Sequence, residues 1–397
     1  MSDDEHEARS FAEERIEALV DDGETIVPVS AEELCSAGLD AMDDRARRYV
    51  RAVAGAGRTY DRNRSAFERW QIVPRVLRDV DRRDHRIDLL GHTIPAPVFL
   101  APIAAHGLFD DDAEVATARA AASVGLPFMA SSLSSVSLEV IAEVETTAPR
   151  LFQLYASRDE AITTSFLERA EAAGYDGIVL TVDAPLMGWR EVSLAGGAAT
   201  FDDGEGLANY LTDPAFGRAL ERIPSEDIDE AVEHFEAVFA HAGLTWTHLE
   251  DIVESTTLPV LVKGIVHPDD ARLALQHGAS GVIVSTHGGR QVDNAISSIE
   301  AVPSVVERVG GESVVLLDSG IRRGADAFTA LALGVTAVGI GRPYLYGLAI
   351  AGARGVEAVL RNLLGDLDMT LALSGHRTWS EVDESALVSA QDSSQAR

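Results

Sequence analysis

The chain has 397 residues, 46% of them hydrophobic, and carries 64 acidic against 33 basic side chains, a formal charge of −31. That apolar fraction is ample for a core, so the charge does not imply disorder, but it argues against nucleic acid as a partner because no cationic stripe meets phosphate. Cys35 is the only cysteine, which excludes an intramolecular disulfide and a cysteine-based metal cluster, and no metal site is expected.

The amino terminus, Met1 to Glu7, is acidic where a signal peptide is positive and then apolar, and no apolar run reaches membrane-spanning length. A cytoplasmic protein with no membrane partner is expected. A carboxylate-rich surface almost without lysine suits a salt-rich, halophilic cytoplasm, where screening makes high net charge tolerable.

Residues 1–95 read as a mostly helical segment packed on a larger domain. From about residue 96 to residue 363, short apolar runs alternate with amphipathic stretches, the pattern of a parallel sheet covered by helices. The expected strands are Pro97 to Ala101, Pro127 to Ser131, Arg150 to Tyr155, Gly177 to Asp183, Leu258 to Gly264, Gly281 to Ser285, Ser313 to Asp318 and Ala337 to Gly341. Eight strands in about 250 residues predict a (β/α)₈ TIM barrel over residues 96–386. The rival, a doubly wound open sheet, normally shows a glycine-rich dinucleotide turn after an early strand, and none is present.

The break at about residues 190–245 is too long for an ordinary connection and holds Gly196, Gly197, Gly204 and Gly206, then an acidic helical stretch from Pro224 to His241. It is expected to be a lid containing some helix, in preference to an oligomer contact. Residues 387–397 are expected to form a mobile tail.

Barrel strands converge at their carboxyl ends, and chemically useful side chains collect there: Gln153 and Tyr155, Thr181 and Asp183, Lys263, then Ser285, His287 and Arg290, then Asp318. Lys263 is the only lysine among 33 basic residues, and a compact ammonium at a strand end suits a point contact with developing negative charge. The loops after strands seven and eight each combine glycine backbone with arginine, so Gly320, Arg322, Gly341 and Arg342 are the expected phosphate ligands. His287 and Arg290 pair a neutral-pH base with a carboxylate grip, and Asp183 is placed to orient the imidazole.

Several motifs occur in a characteristic order along the chain: Phe152-Gln153-Leu154-Tyr155, Thr181-Val182-Asp183, Val262-Lys263-Gly264, Ser285 to Gln291 and Asp318-Ser319-Gly320-Ile321-Arg322. From about residue 45 to residue 380 the chain resembles the FMN-dependent L-2-hydroxy acid oxidase and dehydrogenase family. Phe67-Glu68-Arg69-Trp70, Gly188-Trp189-Arg190, Gly206 to Leu211 and Leu373 to Arg377 most resemble its lactate 2-monooxygenases. The resemblance implies FMN as cofactor, with Pro102, Ile103 and Ala104 along the flavin and Ser131, Gln153 and Thr181 bonding its polar edge. Lys263 would face the flavin locus that becomes negative on reduction, with Ser285 and Asp318 also among the cofactor residues.

It further implies His287 as base, Arg190 and Arg290 as holders of the substrate carboxylate, and Tyr155 as a bond to the substrate. The expected substrate is a small lactate-like L-2-hydroxy acid, oxidised to the 2-oxo acid with or without decarboxylation. Oxygen or another acceptor would take the electrons, in a homotetramer or larger homo-oligomer. An FMN-dependent isomerase or a catalytically silent phosphate-binding barrel are the alternatives.

Three departures mark this chain within the family pattern. Thr286 replaces an asparagine, and Asp110 replaces a histidine after the first strand. A loop around Ala54 to Gly57 is about two residues short, so the active-site tyrosine falls on Tyr49 or is replaced by Arg51.

Overall fold

The computed structural model describes residues 10–20, 23, 25–195 and 201–390. Eight parallel strands close into a barrel: β1 (Val98–Leu100), β2 (Phe128–Ser131), β3 (Arg150–Leu154), β4 (Gly177–Thr181), β5 (Val260–Ile265), β6 (Gly281–Val284), β7 (Val314–Leu317) and β8 (Ala337–Ile340). All eight stand where the apolar runs predict them. Four begin just after a proline, Pro97, Pro127, Pro149 or Pro259, because proline has no N–H to give the ladder. At the other end Tyr155, Asp183, Ser285, Asp318 and Gly341 fall just beyond the last paired residue, released from the ladder at the barrel mouth.

Inside the ring Phe99, Met129, Leu151, Val179, Leu261, Ile283, Leu316 and Ala337, one from each strand, form a fully buried cluster. Leu89 and Ile94 join it from the hairpin Ile87–Leu89 with His92–Ile94. The expected helical amino-terminal segment is therefore mixed: helices Phe11–Val20, Ala31–Ala41, Asp44–Arg51 and Arg58–Ser65 precede the strand Trp70–Ile72 and that hairpin.

The expected tail boundary at residue 387 needs correction. Leu387–Ser389 pairs antiparallel with Trp70–Ile72, because the run Ala386-Leu387-Val388 is apolar enough to pack and pair. Residues 391–397 lie outside the described residues. Among the described residues no helix is long and apolar enough to cross a membrane.

Asp368, fully buried on the closing helix Arg342–Leu373, ties this helix to the amino-terminal segment. Its carboxylate accepts from Arg83 Nε and from Ala12 N (3.0 Å), and its Oδ1 lies 2.9 Å from His85 Nε2. Those partners hold its pKa far below the carboxylate range despite burial. Replacing Asp368 with asparagine strands a nearly buried guanidinium, and such a loss costs about 3–5 kcal/mol. Thermal unfolding is expected to show a midpoint several degrees lower; an unchanged midpoint would remove Asp368 from the fold's anchors.

Between β4 and β5 the insertion carries the short helices Glu191–Ala195, Ala208–Leu211 and Pro214–Gly217, then Ile228–Phe239 inside the expected acidic stretch. Gly196 and Gly197 lie outside the described residues. Buried Asn209 bolts the insertion to the end of β2, donating to the Ser131 and Ser132 carbonyls (3.2 Å each) and to Ser134 Oγ (2.8 Å).

Candidate active site

The carboxyl ends of the strands surround a cavity of about 1220 Å³ including its open mouth, room for a ligand of several hundred Å³. His287 occupies it from the turn after β6, with a left-handed φ of 55° that a non-glycine residue adopts only under constraint. The constraint is visible. Ser285 Oγ accepts from the His287 N–H (3.0 Å), and Ser319 Oγ accepts from Gly288 N (2.9 Å).

His287 Nδ1 lies 2.9 Å from Asp183 Oδ1 and Nε2 lies 3.4 Å from the Tyr155 hydroxyl. Burial would raise the Asp183 carboxyl, but the His287 charge and hydrogen bond outweigh it and its pKa is lowered. Ionised Asp183 therefore accepts from Nδ1, and Nε2 is left as the free base. Burial lowers the His287 pKa against the pull of Asp183, with Lys263 and Arg190 adding to the lowering, so the ring is neutral at neutral pH. Burial, then Asp183, raises the Tyr155 phenol, which stays protonated.

Two guanidiniums face this pair. Arg290 NH1 donates to the carbonyls of Tyr49 (2.8 Å) and Ala52 (3.0 Å). Both protons on that nitrogen are thereby used, and the Nε–NH2 edge is left for a planar acceptor. Arg190 donates to Arg290 O (3.1 Å) and Gln291 Oε1 (2.8 Å). Burial and the neighbouring Arg190 lower the Arg290 pKa to about 10, still fully charged at neutral pH. Neither arginine pairs with a carboxylate among the described residues. Two adjacent cations without a counterion, one buried and one half-buried, define an anion site.

The far side of the cavity holds groups that fit FMN. Ser131 Oγ donates to Gln153 Oε1 (2.9 Å), leaving Gln153 Nε2 buried without a partner, and Thr181 Oγ1 is likewise buried and unpartnered. Such orphaned groups near the ends of the neighbouring strands β3 and β4 match the polar edge of a flavin ring. Lys263 Nζ donates to Ser285 Oγ (3.1 Å) and lies 3.3 Å from Asp318 Oδ2. Burial opposes its charge, but Asp318 and then Asp183 outweigh it and the pKa is raised. At the phosphate end Arg342 donates to the carbonyls of Val50 and Gly288, and its NH2 is buried without a partner. Gly320, Arg322 and Gly341 line the same end.

Pro102, Ile103, Ala104 and Asp318 also line the cavity, so the structure gathers every sequence-predicted site residue but Thr181 at the mouth or one hydrogen bond behind it, and Thr181 lies beside Lys263 on the neighbouring strand. Tyr49 faces the cavity, its ring centroid 4.8 Å from Arg290 Cζ, and Arg51 is exposed. Thr286 Oγ1 accepts from buried Asn63 Nδ2 (2.7 Å), so the hydroxyl there serves the loop rather than the imidazole. Asp110 is half-buried and caps its own turn, accepting from Asp112 N (2.9 Å), and the buried histidine of this connection is His106. Sequence reasoning missed Leu133, Met187, Phe201 and Phe239 in the lining. Only Phe239, on the apolar side of an amphipathic helix, left a signal.

The fold and this arrangement define a flavin-dependent oxidoreductase acting on a hydroxylated anion. Comparison with known proteins agrees: the model of the family described as FMN-dependent dehydrogenase matches residues 40–389. An L-lactate oxidase of Lysinibacillus sphaericus is 43% identical over 327 residues, 82% of this chain and 84% of that relative. A glycolate oxidase of Spinacia oleracea is 38% identical, over 85% of this chain and 90% of that protein. A crystal structure of mandelate oxidase with (S)-4-hydroxymandelic acid superposes with a TM-score of 0.81 at 37% identity, covering 91% of this chain and 98% of that one. The chain belongs to the FMN-dependent dehydrogenase family. It is an FMN-dependent 2-hydroxy acid oxidoreductase.

Proposed function

We propose that the substrate is a short L-2-hydroxy acid such as lactate, and that oxygen takes the electrons, with the 2-oxo acid and hydrogen peroxide as products. The observation that carries this reading is the pair of guanidiniums without a carboxylate partner, buried Arg190 and half-buried Arg290, set against the neutral base His287. Their forks hold the substrate carboxylate, which leaves the C2 hydroxyl to Tyr155 and His287. His287 Nε2 takes the proton the substrate loses, and Asp183 stabilises the imidazolium that results. FMN, when bound, supplies the two-electron acceptor.

Gln153, Thr181 and Ser131 hold its polar edge in this reading, and Pro102, Ile103 and Ala104 lie along it. Gly320, Arg322, Gly341 and Arg342 take its phosphate. Lys263, with Ser285 and Asp318 behind it, stabilises the negative charge that reduction brings. The glycolate and L-lactate oxidases among the relatives support oxygen as acceptor. A cytoplasmic, salt-adapted homotetramer or larger assembly completes the reading, supported by the charge of −31 and by Trp189, which is 71% exposed in the single chain.

Turnover of L-lactate in air is the test. Pyruvate and hydrogen peroxide are expected in equal amounts. Acetate formed without free peroxide would replace this reading with oxidative decarboxylation.

A further inference from the structure

The wall of the cavity beside Tyr155 comes from the insertion. Phe239 ends the helix Ile228–Phe239, and its ring stands edge-on to that of Tyr155, with centroids 5.2 Å apart and planes at 74°. Its backbone is clamped on both sides. The Val238 carbonyl accepts from Arg158 N (2.8 Å) and Ser157 Oγ (3.1 Å), and the Ala240 carbonyl accepts from Arg158 Nε. Ser157 and Arg158 lie just beyond Tyr155 in the chain, so the segments bearing the two rings form one hydrogen-bonded unit.

Behind Phe239 lies a packed aromatic stack. Its ring is 4.8 Å from Phe235, which in turn is 5.0 Å from Tyr210 and 5.8 Å from Phe201. Phe235 and Tyr210 are buried, and Phe201 reaches the cavity again. Edge-on and tilted ring pairs of this kind fix side-chain orientation as well as burying area. The inner face of the insertion is thus a built wall.

With the carboxylate on Arg190 and Arg290 and the hydroxyl between Tyr155 and His287, the polar groups on this side are used. With Tyr49 stacked on Arg290, the apolar lining left for the C2 substituent includes Ala104, Leu133, Ala184, Met187, Phe201 and Phe239. We propose that Phe239 is the residue that sets substrate size: held against Tyr155, its ring limits the C2 substituent to a short apolar group. The proposal rests on the functional reading above.

The test is the FMN-loaded enzyme with Phe239→Ala and, as a milder change that keeps the stack filled, Phe239→Leu. The measurement is kcat/KM for L-lactate and for L-2-hydroxyoctanoate, with the flavin spectrum as a check on folding. In the alanine variant the octanoate-to-lactate ratio is expected to rise at least about tenfold, the scale at which apolar pockets discriminate, with the leucine variant between it and the wild type. A ratio unchanged in both variants, with wild-type turnover of L-lactate intact, would overturn the role of Phe239 alone. Wild-type enzyme whose flavin no 2-hydroxy acid reduces would overturn the functional reading and this proposal together.

Discussion

Replacing His287 with glutamine is expected to slow anaerobic flavin reduction by about 100- to 10,000-fold, the usual worth of a general base, with FMN still bound. Glutamine reaches as far as the imidazole and can still donate to Asp183, but it has no lone pair that takes a proton near neutral pH. The same residue sets the pH dependence. Burial lowers the His287 pKa below the ordinary 6.5, so the base is free across the neutral range. In the wild type kcat/KM should therefore fall only as pH drops below about 6.5. Protonating a histidine that the fold buries neutral also weakens the fold, so stability declines in the same direction. Rapid-mixing rates for the two proteins across pH check both points. Equal rates would dismiss His287 as the base, and an acid limb above 6.5 would contradict its buried, neutral state.

Replacing Arg290 with lysine is expected to lower kcat/KM by about 100- to 1,000-fold, chiefly through KM. Losing one partner of a desolvated charge pair costs about 2–5 kcal/mol, and each 1.36 kcal/mol is tenfold. Lysine keeps the charge and loses the fork. It also releases the carbonyls of Tyr49 and Ala52, which Arg290 NH1 now holds. Steady-state kinetics with L-lactate decides this, and kcat/KM within a few-fold of wild type would remove Arg290 from carboxylate recognition.

The barrel is legible in sequence because its strands, buried on both faces, read as short apolar runs, and four prolines mark where ladders begin. The strand-end chemistry is legible for the same reason, since Asp183, Lys263 and Asp318 stand at the ends of those runs. Tyr49 and Arg51 cannot be separated in sequence because a shortened loop hides the register; the helix Asp44–Arg51 turns Tyr49 toward the cavity. Gly320 reads as a phosphate glycine, yet its φ is 118° and a Cβ there would sit 2.2 Å from the Asn63 carbonyl. That packing alone demands glycine. Phe201 leaves no signal in the sequence and Phe239 only that of an apolar helix face, because the insertion has no fixed register to the strands and only tertiary packing shows which of its aromatics line the cavity.

The most direct measurement is anaerobic mixing of the FMN-loaded protein with L-lactate while the visible flavin absorbance is monitored. Rapid, complete bleaching, lost in the His287→Gln protein, is the predicted result. An oxidised spectrum that persists with L-lactate and with every other short 2-hydroxy acid would contradict it.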